Sequence, residues 1–137
     1  MKIRYWSRLV IYLPLLLAAM GVFAQADHLE AAHHHMVRGS AAVEMAKSPD
    51  DLMVAAQEFR KAVEIAPEMA DAWYNLGAVE AKLNHHTEAI NAYQKYLQLR
   101  PKAEDAQKVQ DEIVKLEFLQ ERQERLIQQR MERRGRR

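Results

Sequence analysis

The sequence predicts an all-α protein made of antiparallel helix pairs and closed by a long C-terminal helix, and three observations predict it. Apolar residues recur at spacings of three and four, as one face of a helix requires: Trp73, Leu76 and Val79/Glu80 form one stripe, and Ala89, Tyr93, Tyr96 and Leu97 a second. Part of that pattern stands again 34 residues earlier in the chain, which is the mark of a repeat. Nearly half of the residues are apolar (49%), with only four Gly and four Pro, a balance that favours packed helices over sheet or disorder.

At 137 residues the chain holds one small domain, and its formal charge of +1 conceals an uneven distribution. Residues 118–137 carry seven Arg against three Glu, net +4, whereas residues 27–117 carry −6. The absence of Cys excludes disulfides, thiol catalysis, thiolate metal sites and lipid attachment to a Cys.

Residues 1–26 read as a secretory signal. Lys2, Arg4 and Arg8 make a positive start, Leu9 to Val22 an apolar run, and Ala24-Gln25-Ala26 a small-x-small cleavage site. An uncleaved anchor is the competing reading, but the run is shorter than the roughly 20 apolar residues of a spanning helix and contains Pro14. The protein is therefore expected to be exported, periplasmic or secreted, and to begin at Asp27, which takes the net charge from +1 to −2.

Residues 27–35 form a polar segment with His28 and the run His33-His34-His35. Neighbours on a helix point about 100° apart, so three successive imidazoles do not converge on one ion, and a solvated helix start is expected. His85-His86 are read the same way, as a polar turn. No metal and no cofactor is expected.

Over residues 36–69, Ala55, Phe59, Ala62 and Pro67 precede Ala89, Tyr93, Tyr96 and Pro101 by 34 residues each. The first helix of this copy is degenerate, since in that register Gly39 and Ala42 stand for Trp73 and Leu76, and Val43 for Gly77. Met36, Val43 and Met45 remain as its apolar contacts. Ser48-Pro49-Asp50-Asp51 makes the turn, with Ser48 or Asp50 able to cap the next helix and Leu52 to pack at its start.

Residues 70–103 carry the strongest pattern: Trp73, Leu76 and Gly77, then Ala89, Tyr93 and Pro101. Gly77 and Ala89 are small where two helices approach most closely, and Pro101 stops the second helix. The stretch resembles a tetratricopeptide repeat, and the likeness extends from Met36 to about Leu119. What the resemblance implies is a non-catalytic scaffold that binds a protein or peptide, with the first helices of successive repeats lining a concave groove. Carried onto this sequence, the groove-facing positions are Asp71, Tyr74, Asn75, Ala78 and Lys82, joined by Ser40 and Glu44 from the first copy. Asn75 matches an asparagine that some members use to grip a C-terminal carboxylate. Ser40, Glu44, Asp105 and Val109 occupy the rest of that clamp, so chaperone-tail recognition is not implied.

Residues 104–137 continue as a capping helix with an Arg-rich tail. Ala103, Ala106, Val109, Ile113, Leu116 and Leu119 form its stripe, which Gln120 and Gln123 then interrupt. Leu126, Ile127 and Met131 leave a smaller apolar patch. No nucleophile beside a His, no phosphate-cradling glycine loop and no His-Glu-x-x-His pattern is present, and the acidic residues are read as solvated helix faces, so no catalysis is expected. The run Arg133-Arg134-Gly135-Arg136-Arg137 has no aromatic residue for base stacking. Anionic lipid is therefore a better candidate than nucleic acid as its polyanion, and a structural role at a membrane surface is the alternative to groove binding.

Overall fold

The computed structural model describes residues 27–136, and every regular element among them is a helix. They are α1 (27–45), α2 (Pro49–Ile65), α3 (Ala70–Lys82), α4 (His86–Leu99) and α5 (Ala106–Gly135). The signal reading of residues 1–26 lies outside the described residues. Among those described, no helix is long and apolar enough to cross a membrane.

Each boundary has a local cause. Ser48 begins α2 with a capping box: its hydroxyl accepts from the Asp51 N–H, and the Asp51 carboxylate accepts from the Ser48 N–H, with Pro49 at the first turn. Pro67 and Pro101 follow the ends of α2 and α4 by two residues. α3 closes in a Schellman motif. The His85 N–H donates to the Glu80 carbonyl and the Asn84 N–H to that of Ala81, with Asn84 in the left-handed region at φ 61°.

The helices bury two linked cores. Phe59, Ala55, Ala62 and Val63 of α2 meet Leu76 and Val79 of α3, with Met36, Ala42 and Val43 of α1 packed alongside. Tyr93, Tyr96 and Ile90 of α4 meet Val109, Ile113 and Leu116 of α5. Trp73 touches both cores. It is only partly buried, and its indole N–H reaches out 2.8 Å to donate to the Pro67 carbonyl.

The expected close approach at Gly77 is present: a Cβ there would lie 2.8 Å from the Tyr93 ring. Gly39 repeats the arrangement, since its Cβ would lie 2.7 Å from the Phe59 ring. This corrects the 34-residue register for α1, in which Val43 stood for Gly77. The capping box at Ser48 starts α2 at Pro49, three residues ahead of where His86 would put it, and α1 shifts by one turn to match. The division at residue 36 falls inside α1, whose Ala32 is fully buried. Met45 is not a core contact, being 76% exposed. At the other end packing stops at Leu116, and Leu119 is exposed.

Candidate functional site

Five of the seven expected groove residues come together. Ser40 and Glu44 of α1 and Asn75, Ala78 and Lys82 of α3 line one depression of about 210 Å³, floored by Val43, Phe59 and Val79. The one-turn slip of α1 leaves Ser40 and Glu44 in place because residues four apart share a helix face. The wall thus offers a carboxylate, an ammonium, a hydroxyl and an amide around an apolar floor. Lys82 also borders the adjoining hollow at the α1–α2 turn, with Lys47 and Pro49.

Tyr74 and Asp71 do not join them. The Tyr74 ring packs against those of Tyr93 and Tyr96, with centroids 5.9 and 5.3 Å away, so it belongs largely to the second core. Asp71 accepts both guanidinium arms of Arg100 at 2.8 and 3.2 Å, tying the start of α3 to the end of α4.

Two carboxylates expected on solvated faces are buried instead. Glu58 is 5% exposed and Glu80 1%. Glu58 accepts from His35 at 2.9 Å and from Lys61 at 3.0 Å, with Arg38 at 3.1 Å, so α1 and α2 are joined through it. The His35 bond, against the opposing effect of burial and helped by Lys61 and Arg38, holds the Glu58 carboxyl down at about 2. Glu80 accepts from Arg60 at 2.6 Å and from His85 at 2.7 Å, joining α2, α3 and the α3–α4 turn. His35 and His85 are therefore structural partners, where a solvated start and a plain polar turn were expected. The signal in each case was an acidic residue inside an apolar stripe, as Glu80 is beside Val79. Every acid so buried has cationic or imidazole partners, and no buried side-chain polar atom among the described residues lacks a partner.

A third anchor closes the fold below α5. The buried Tyr96 hydroxyl donates to Asp105 at 2.5 Å, which, with burial, pushes the phenol up to about 12. Burial first, then Tyr74 and Glu112, raises Tyr93 to about 12 as well. A wider cleft, about 400 Å³, lies elsewhere, along α1 and α2 around Ala41, Met45 and Val54.

These features define a helical-repeat scaffold with a polar-walled depression. Residues 70–103 match the family model described as the tetratricopeptide repeat, and the chain carries such a repeat over α3 and α4. Where the repeat pattern calls for Tyr, three residues after the glycine, this chain has Glu80. Among solved structures it is similar to the one titled "Crystal structure of MamA protein", at 26% identity and a TM-score of 0.48. The likeness covers 64% of this chain and 51% of that one, so the chain spans about half the length of that protein. No curated protein matches it.

Proposed function

We propose that the protein is an exported, non-catalytic interaction module that takes a protein or peptide segment in the depression between α1 and α3. The observation that carries this reading is the meeting of Ser40, Glu44, Asn75, Ala78 and Lys82 from two helices on one apolar floor. Asn75 can both donate to and accept from a peptide backbone, while Glu44 and Lys82 offer opposite charges to select side chains. Tetratricopeptide repeats serve as protein-interaction modules, and the match over residues 70–103 supports the class. Export rests on the order of features in residues 1–26.

A photo-crosslinking residue placed at Asn75 tests the site against the same residue at Gln94, which is exposed on α4. The expected outcome, in envelope extract, is a discrete adduct from position 75 and none from 94. Equal labelling from both positions, or from neither, would sink the depression as the recognition surface.

A further inference from the structure

We propose that the second half of α5 is a peripheral membrane-docking helix, one of whose faces adsorbs to an anionic lipid bilayer. This proposal is independent of the depression. Beyond Leu116 the helix leaves the core, and residues 118–135 are all exposed except Gln120. At about 100° per residue, Arg122, Arg125, Arg130, Arg133 and Arg134 fall within one half of its circumference. Glu117, Glu121, Glu124 and Glu132 gather on the remaining side. Of those arginines, Arg125 alone has a carboxylate within reach among the described residues, Glu121 at 3.3 Å. The basic side is thus left open.

Phe118, Leu119 and Leu126 stand in the same half as the arginines and are likewise exposed. That mixture selects the partner. A bilayer interface stacks a phosphate layer directly over an acyl layer, so arginine heads can stay among phosphates while the three apolar side chains enter beneath them. A soluble polyanion has no apolar layer to receive them. The net −6 of residues 27–117 opposes the same surface, which confines contact to the projecting end, where residues 118–137 carry +4.

The test is co-sedimentation of the full chain with phosphatidylcholine vesicles, with and without phosphatidylglycerol. Residues 1–26, with their apolar run and with Lys2, Arg4 and Arg8, are common to the parent and every variant, so the difference between parent and variant on anionic vesicles is the readout. The parent is expected to bind anionic vesicles more tightly, and increasingly so as salt falls. A variant combining Arg122→Gln, Arg130→Gln, Arg133→Gln and Arg134→Gln is expected to lose about 600-fold of that binding, each arginine contributing about a factor of five. Phe118→Ser with Leu126→Ser is expected to weaken vesicle binding while leaving retention on heparin unchanged. Helicity by circular dichroism should not move in either variant, since these side chains touch no core. Equal binding of parent and quadruple variant, or no preference for anionic lipid, would overturn the proposal. So would insensitivity of vesicle binding to the Phe118 and Leu126 changes, which would point to a soluble acidic partner.

Discussion

Arg60 donates to Glu80 across the α2–α3 interface at 2.6 Å, and this contact fastens one helix pair to the next at a carboxylate almost wholly out of water. A buried acid is stable only while its partners remain, so the contact is more costly to break than its gross attraction suggests. Arg60→Ala leaves Glu80 to His85 alone and should cost about 1–2 kcal/mol in chemical denaturation, less than for a fully enclosed pair because Arg60 is half exposed. Adding Glu80→Tyr, the residue of the repeat pattern, should recover part of that loss. Parent-like stability of Arg60→Ala would refute the account.

The two glycine–ring contacts make matching predictions. Gly39→Leu and Gly77→Leu should each cost roughly 1–3 kcal/mol by overpacking against Phe59 and Tyr93. A Gly39 variant unfolding at the parent's temperature would restore the 34-residue register for α1.

Asn84 separates backbone strain from side-chain chemistry. In its left-handed conformation Ala is disfavoured and Gly is not, so Asn84→Ala should destabilise by about 1 kcal/mol while Asn84→Gly is near neutral. Equal loss in both would instead assign the residue's role to its amide.

Glu58 supplies an acid-sensitive joint. Its folded pKa, about 2, lies below the ordinary 4.5, so its contribution is complete above about pH 4.5 and is lost as pH falls toward 2. Because water screens the half-exposed Arg38 and Lys61, that contribution is about 1–2 kcal/mol. Denaturation midpoints measured across this window should flatten in Glu58→Gln, and in His35→Ala they should flatten partly. An unchanged slope in both variants would remove Glu58 as its source.

Binding and folding divide between neighbouring residues. Asn75→Ala with Lys82→Ala should raise the dissociation constant of a crosslinked partner about tenfold with thermal stability intact, as for polar groups at a recognition surface. Tyr74→Ala should chiefly lower stability, by about 1–3 kcal/mol, since its ring is packed on two others. Calorimetry and thermal unfolding on the same samples would expose the reverse pattern.

The helix pair α3–α4 was legible because Trp73, Leu76, Gly77, Ala89, Tyr93 and Pro101 combine apolar spacing with two backbone constraints, a close approach and a stop. The placement of α1 was not. Moving a helix by four residues keeps the same face inward, so a stripe of small residues fits two registers equally, and only the position of Phe59 opposite Gly39 separates them. For the same reason Ser40 and Glu44 stay on the face that lines the depression in either register. Glu58 and Glu80 stand within apolar stripes, but their burial was not read from them because the partners that compensate it, His35 and Arg60, lie 23 and 20 residues away. Tyr74 was placed in the groove by carrying over the resemblance, whereas the Trp73 indole leans outward to Pro67 and its neighbour Tyr74 turns onto the tyrosines of α4.

Between Ala106 and Gly135, α5 runs for 30 residues, about 45 Å, with no proline and no glycine before its last position. Kinks in helices arise at such residues, so the length packed on α4 and the length beyond it turn as a single lever. Whatever seizes the far end therefore sets the compass bearing of the depression relative to that support, with no joint in between to let it swivel.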